Sequence, residues 1–294
     1  MTFKEFLSLK VFYFTAMKKI ITMAVMAVAT LCSAHAAKVV KILAIGNSFS
    51  EDAIEQNLHE IAAADGITTV IGNLYIPGCS LQRHAQNIAN DAPAYRYRKI
   101  GEDGKMQQTD SMRLSKALSE EQWDYVSVQQ ASHFSGMYNT YEPWLHQVVA
   151  YVRAHVGKHT KIVFHQTWAY AKDSSHDGFK NYGRNQNRMY QAICLAAQKA
   201  MKTEDIKTVI PCGTAVQNAR TSSLGDTMNR DGYHLNLHYG RYTAACTWFE
   251  ALFGKSVLGN SYTPPQVTPL QKRIAQQAAH EAVKDPWNVT AIHL

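Results

Sequence analysis

Short apolar runs alternate with longer amphipathic stretches along most of the chain. Five runs rich in β-branched residues predict strands over residues 39–45, 68–75, 123–129, 161–167 and 206–210. Most of the stretches between them carry apolar residues at helical spacing. Strands that alternate with helices are typical of a parallel sheet covered on both faces. The pattern predicts a three-layer α/β/α sandwich with a central five-stranded parallel sheet.

The amphipathic stretches predict the helices in more detail. The predicted ranges are 50–64, 81–89, 111–119, 142–155, 183–201, 239–253 and 269–283. Ser50 is the predicted N-cap of the first helix, and Gly66 follows its end. Residues 95–109 predict a hairpin inserted into the αβ pattern. No linker rich in glycine, serine or proline divides the chain, so we expect a single domain over residues 37–294.

The N-terminal 36 residues have the three parts of a secretory signal peptide. Met17 is followed by Lys18 and Lys19, then by about a dozen apolar residues, and then by a small-x-small ending at Ala36. We therefore predict a signal peptide over residues 1–36 with the true start at Met17, and a periplasmic or extracellular product. A buried N-terminal helix is the alternative. The apolar run falls short of the roughly 20 residues that a membrane span needs, so we expect no stable membrane insertion.

Charge and cysteine content narrow the classes of function. The chain carries a net charge of +7, and removal of residues 1–36, with four lysines and one glutamate, would leave +4. No basic run that would follow a phosphate backbone occurs, so nucleic acid is not an expected partner. Cys79, Cys194, Cys212 and Cys246 would remain, and an even number permits disulfides in an exported protein, with three pairings open. Cys32 raises a lipoprotein signal as an alternative, although Leu31 precedes it where a small residue is expected.

Polar residues follow the predicted strands, where open parallel sheets bind ligands. Gly46-Asn47-Ser48-Phe49-Ser50 follows the first strand, and Pro77-Gly78 follows the second. Gln129 and Gln130 end the third strand, Trp168 ends the fourth, and Asp231-Gly232-Tyr233-His234 comes late in the chain. Ser48 alone is an ordinary turn or cap serine, and Asp231-Gly232 alone is a common turn. Their order and their positions together indicate a site.

These blocks resemble those of the SGNH, or GDSL-like, hydrolases. The segment around Ser48 resembles the first block of that superfamily, Gly78 its second, and Asp231-x-x-His234 its last. The resemblance runs from about residue 39 to residue 253, and is greatest to an uncharacterised branch common in gut bacteria. It implies a flavodoxin-like three-layer fold and a serine ester hydrolase. Ser48 would be the nucleophile, His234 the base and Asp231 its partner.

The residue types suit that chemistry. A serine hydroxyl needs a base within hydrogen-bond reach to take its proton, and an imidazole needs a carboxylate to fix its tautomer. The backbone N–H groups of Ser48 and Gly78 are the expected oxyanion donors. The third block normally supplies an asparagine, which is missing here, and Gln129 or Gln130 is the expected substitute. Asn47, Gln130 and Trp168 are expected near the substrate, with Trp168 as a sugar- or acyl-binding wall.

Other chemistries have weaker support in the sequence. His234 and His238 lie four residues apart and, with Asp231, resemble a partial metal site, but no matching ligand cluster occurs elsewhere. No glycine-rich nucleotide motif follows the first strand. We expect neither a metal nor another cofactor. His165 and His176 are not expected to have a catalytic role.

The expected activity is therefore that of an exported serine esterase acting through an acyl-enzyme. The expected substrate is a small-molecule or polysaccharide ester, above all an acetyl ester of a carbohydrate, because the strand-end loops are polar and aromatic and no long apolar lid is present. A lipase or another acyl-ester hydrolase is one alternative. A non-catalytic glycan-binding protein on the same frame is the other, since the third-block asparagine is absent.

Overall fold

One seven-stranded sheet forms the centre of the molecule. The computed structural model describes residues 2–5, 14, 17 and 39–294. The strands are β1 (Val40–Gly46), β2 (Thr69–Tyr75), β3 (Tyr95–Ile100), β4 (Met106–Met112), β5 (Tyr125–Val128), β6 (Lys161–His165) and β7 (Thr208–Ile210). They lie in the order β4-β3-β2-β1-β5-β6-β7. The five from β2 to β7 in this order are parallel and correspond to the five predicted strands.

The sheet is wider than predicted. β3 and β4 form the predicted hairpin, but β3 also pairs antiparallel with β2, from Tyr75 opposite Arg96 to Ile71 opposite Ile100. The hairpin therefore extends the sheet to seven strands, which corrects the expected five. Alternation of apolar residues within a strand does not reveal which edge a hairpin will join, because pairing is decided between strands.

Helices cover both faces of the sheet. They are α1 (Ser48–Ile54), α2 (Leu58–Ala64), α3 (Leu81–Ala89), α4 (Leu114–Glu120), α5 (Trp144–His155), α6 (Gln186–Thr203), α7 (Cys212–Arg220), α8 (Tyr239–Phe253) and α9 (Pro269–Lys284). Ile42 and Ala44 of β1 pack with α1, α2, α8 and α9, whereas Leu43 and Ile45 pack on the opposite face with α4. The predicted three-layer α/β/α sandwich is confirmed.

Two helix predictions need correction. The helix predicted over 50–64 is two helices, and the first begins after Asn47 instead of Ser50, because the Asn47 side chain caps it. Glu55, between the two, turns its carboxylate to Asn73 and Arg98, and such tertiary contacts override local propensity. α7 was not predicted, because the helix is short and its polar residues Thr214, Gln217 and Asn218 are buried and hydrogen-bonded within the fold instead of facing solvent.

Residues Val39–Leu294 form one compact unit and Met1–Lys38 another. In the second unit, residues 3–5 are helical. Most of the predicted signal segment, with Cys32 and the cleavage site after Ala36, lies outside the described residues. None of the helices that the structure describes is long and apolar enough to cross a bilayer. Within residues 39–294, all four cysteines are buried free thiols.

Candidate active site

The Ser48 side chain lies at the carboxyl end of β1, on the first residue of α1. Asn47 caps this helix: its Oδ1 accepts from the backbone N–H of Phe49 at 3.0 Å, and its own N–H donates to Ser50 Oγ at 3.1 Å. Gly46 has no room for a side chain, since a Cβ there would lie 2.3 Å from Ser50 Oγ. The glycine and the cap together fix the turn that presents Ser48.

His234 and Asp231 lie in a tight turn that precedes α8. The turn is closed by a bridge between Asn229 and Leu235 and by the Arg230 N–H, which donates to the His234 carbonyl at 3.0 Å. At its tip, Gly232 has a φ of +86°, which favours glycine, and a Cβ there would lie 2.9 Å from the backbone of Ser174. The chain therefore reverses within a few residues and brings both side chains to one side.

The structure brings the three predicted triad residues together. His234 Nε2 lies 2.9 Å from Ser48 Oγ, and His234 Nδ1 lies 2.6 Å from Asp231 Oδ2. The other carboxylate oxygen, Asp231 Oδ1, accepts from the backbone N–H groups of His234 at 2.8 Å and of Tyr233 at 3.2 Å. Every hydrogen bond that a base and its orienting carboxylate require is present.

The charge on Asp231 is favoured by its surroundings. Partial burial would raise the pKa of this carboxyl, but the hydrogen bonds from the His234 ring and from the N–H groups of His234 and Tyr233 outweigh it, so its pKa is lowered. The ionised carboxylate accepts a hydrogen bond from the Nδ1–H of His234. The lone pair of His234 Nε2 then faces the Ser48 hydroxyl.

Ser48 and Gly78, the two residues whose backbone N–H groups are expected to be oxyanion donors, lie at the same cavity. The cavity has a volume of about 420 Å³ and also contains His234. Gly78 follows Pro77 in a turn closed by the Cys79 N–H, which donates to the Ile76 carbonyl, and its φ is +59°. Neither the Ser48 nor the Gly78 N–H donates to another residue that the structure describes.

Gln129 does not line this cavity, which corrects its expected oxyanion role. It is buried, and its Nε2 donates to Asn47 Oδ1 at 2.9 Å. Its Oε1 lies 2.7 Å from His165 Nδ1, so the imidazole is the donor there. Burial lowers the pKa of His165 to about 3, which keeps the ring neutral. Asn47 Nδ2 in turn donates to the Cys79 carbonyl at 3.0 Å. These hydrogen bonds connect the end of β6 with the segments that follow β5, β1 and β2.

The three residues expected near the substrate are also buried away from the cavity. Asn47 is the helix cap described above. Gln130 accepts from the N–H groups of Leu81 and Ala131 and donates to the Thr140 carbonyl. Trp168 is fully buried, because its indole stacks under Phe49 and its Nε1–H donates to the Tyr233 carbonyl. None of the three therefore has the expected substrate-binding role. Each instead holds the loops around the cavity in place through buried contacts.

Other residues surround the cavity instead. They come from the loop after β5, from the 3₁₀ segment Asp177–Tyr182, and from the late turn, and include Ser132, His133, His176, Asp177 and Tyr233. Ser132 and His133 follow Gln129 and Gln130 after one intervening residue, Ala131. The sequence assigns no catalytic role to His176, and the spacing of this residue gives no signal because it lies outside regular structure. Burial lowers the pKa of both His133 and His176, so neutral rings line the cavity.

The metal interpretation gains no support. Among the described residues, no group of three or more His, Cys, Asp or Glu side chains is arranged to hold a metal ion. His238 directly precedes α8, and its N–H donates to Asn236 Oδ1.

Comparisons with known proteins identify the family of this chain and several solved structures that are similar to it. A crystal structure of a DUF4886 family protein from Bacteroides uniformis is 56% identical, covers 87% of this chain and 98% of its own, and has a TM-score of 0.86. An acetylxylan esterase from Geobacillus stearothermophilus is 10% identical over 77% of this chain and 97% of its own, with a TM-score of 0.47. TesA is 14% identical over 74% and 98%, with a TM-score of 0.45. The comparison with curated proteins gave no match. The model of a domain of unknown function, DUF4886, matches residues 41–282, and the chain therefore belongs to the DUF4886 family.

Proposed function

We propose that this protein is a serine esterase that works through Ser48, His234 and Asp231. One observation carries the proposal: the Ser48 Oγ to His234 Nε2 distance of 2.9 Å, with Asp231 Oδ2 at 2.6 Å from the far nitrogen of the same ring. The two halves of this arrangement lie 186 residues apart in the chain. Their convergence at an open cavity is what nucleophilic catalysis requires.

The first step forms an acyl-enzyme. His234 Nε2 takes the Ser48 proton while Ser48 Oγ bonds to the ester carbonyl carbon, and the carbonyl oxygen becomes an oxyanion. The imidazolium that forms is stabilised by the Asp231 carboxylate. When the oxyanion collapses, the bond to the alcohol oxygen breaks and His234 returns its proton to that oxygen.

The second step releases the acid. A water molecule replaces the alcohol, loses its proton to His234 Nε2 and attacks the acyl carbon, and Ser48 Oγ regains a proton as the ester bond to the enzyme breaks. The free N–H groups of Ser48 and Gly78 are the donors for both oxyanions. A single donor of this kind is worth roughly 3–4 kcal/mol of the barrier.

We propose an acetyl or similarly short acyl ester of a carbohydrate as the substrate. The cavity of about 420 Å³ accommodates a small acyl group and part of a sugar. Its wall includes the hydroxyl of Ser132 and the imidazoles of His133 and His176, which can hydrogen-bond sugar hydroxyls, and the ring of Tyr233, which can pack on a sugar face. We propose export as well, on the signal-like sequence before residue 37.

Release of acetate from acetylated oligosaccharides tests this proposal. The wild-type protein should release acetate, and Ser48→Ala should lower kcat at least about 10³-fold. Ser119→Ala is the matched control, because that exposed hydroxyl bonds only to the Lys116 carbonyl of its own helix. Cleavage of long-chain esters without any release of acetate would favour a lipase. Glycan binding without hydrolysis, unchanged in Ser48→Ala, would favour the non-catalytic alternative.

A further inference from the structure

The helix that carries the nucleophile and the turn that carries the base share a buried ionic cluster. Its centre is Asp52, which lies one helical turn after Ser48. The side chain of Asp52 is fully buried. Its Oδ1 accepts from Arg230 Nη1 at 3.0 Å and from Arg241 Nε at 2.8 Å. Its Oδ2 accepts from the backbone N–H of Leu235 at 2.7 Å and from Arg230 Nη1 at 3.1 Å.

The partners of Asp52 bracket the catalytic turn. Arg230 precedes Asp231, and Leu235 follows His234, so the carboxylate holds the turn at both of its ends. Arg230 Nη1 also donates to the Leu235 carbonyl, which closes the base of the turn. Arg241 adds the first part of α8, the helix that begins after the turn. Asp52 does not line the cavity and cannot contact a substrate.

We propose that Asp52 is a positioning residue that sets the distance between Ser48 and His234. A buried carboxylate is stable only with its charged and hydrogen-bonded partners in place, so α1 and the turn are fixed in one relative position. The inference rests on the proposed function, since it assigns a task within that mechanism. A displacement of about 1 Å between reacting groups can lower a rate about 10²-fold.

The test compares four proteins in kcat, KM and the rate at which a fluorophosphonate modifies Ser48. Asp52→Asn keeps the volume of the side chain but removes its negative charge. Arg230→Lys removes the contacts of the guanidinium with both Asp52 oxygens, at a side chain that is partly exposed. Glu204→Gln is the control, because Glu204 is also a buried acid beside an arginine, Arg153, but contacts neither triad loop. Thermal unfolding is recorded for each, and rates are measured where each variant is folded.

We expect Asp52→Asn to lower kcat and the modification rate about 10²-fold with KM nearly unchanged. Arg230→Lys should lower both about tenfold, and Glu204→Gln should match wild type. If Asp52→Asn does not fold, the kcat and the modification rate of Arg230→Lys test the positioning role. Wild-type kcat in the folded variants, or an equal loss in Glu204→Gln, would overturn the positioning role. Wild-type protein that is inactive and unmodified at Ser48 would overturn the proposed function, and this inference with it.

Discussion

Trp168 stacks on Phe49, with ring centroids 4.2 Å apart and planes within 6°. Phe49 directly follows the proposed nucleophile, and the Trp168 Nε1–H donates to the carbonyl of Tyr233, which directly precedes His234, at 2.8 Å. The buried indole of Trp168 therefore contacts the residue that follows Ser48 and the residue that precedes His234. Trp168 therefore holds the two segments of the site in place and does not form the substrate-binding wall that the sequence predicts.

Trp168→Phe should therefore change stability more than substrate affinity. We expect the free energy of unfolding to fall by about 1–3 kcal/mol, from the lost volume and hydrogen bond, with KM unchanged. Trp123→Phe is the control, since that indole is equally buried and donates to the Ala117 carbonyl in the core on the other face. Urea unfolding and steady-state kinetics give both quantities. A large rise in KM for Trp168→Phe alone would restore the substrate-wall interpretation.

Asp231→Asn should preserve the turn and abolish most activity. The Asn oxygen can still accept the N–H groups of Tyr233 and His234, but its NH₂ group would face His234 Nδ1. The ring would then carry its proton on Nε2 and could not accept one from Ser48. We expect kcat to fall about 10³–10⁴-fold with little change in KM. Ester hydrolysis measures this, and a variant with more than a tenth of wild-type kcat would contradict the assigned role of Asp231.

Gly78→Ala should affect catalysis as well as stability. Its φ of +59° makes alanine cost about 1–2 kcal/mol, although nothing within 4 Å obstructs a Cβ. Relaxation of that strain would move the N–H proposed as an oxyanion donor, so we expect kcat to fall about tenfold or more. Gly66→Ala is matched to it, with a φ of +75° and equal space, far from the cavity. Equal kcat values for the two variants would argue against a role for the Gly78 N–H.

His165 should make the protein less stable in acid. Burial lowers its pKa in the folded protein to about 3 from a usual 6.5, so the unfolded chain binds this proton first as the pH falls. Stability is therefore lost between about pH 6.5 and pH 3, by up to about 1.4 kcal/mol per pH unit. His165→Gln keeps a donor for Gln129 but cannot titrate. Between pH 7 and pH 5, urea unfolding should show wild type losing about 2 kcal/mol more than this variant, and equal losses would contradict the account.

Local patterns in the sequence are sufficient to predict the parallel strands, whereas the triad residues follow from the resemblance to the SGNH hydrolases. Strand ends of a parallel sheet converge, so the sequence predicts that the segments around Ser48, Gly78 and Gln129 lie close together, and the resemblance adds the Asp231–His234 turn to them. The resemblance also gives Gly78, and the Pro77-Gly78 pair predicts the turn in which Gly78 has a φ of +59°.

The residues that support the site were not predictable in this way. Asn47, Gln129 and Trp168 are polar or aromatic residues at strand ends, and such residues either face a cavity or satisfy buried partners. The choice depends on contacts made across the fold, such as the hydrogen bond from Gln129 to Asn47. Asp52 likewise resembled an ordinary first-turn acid of a helix, because Arg230 and Arg241 lie far along the chain.

The most direct measurement of the central claim is covalent labelling with a fluorophosphonate, followed by peptide mapping. Because His234 Nε2 accepts from the Ser48 hydroxyl, we expect wild-type protein to carry the phosphonyl group on Ser48 alone, and His234→Ala to react at least about 10³-fold more slowly. Modification of a different residue, or equal rates in the two proteins, would contradict the claim that Ser48 is a nucleophile activated by His234.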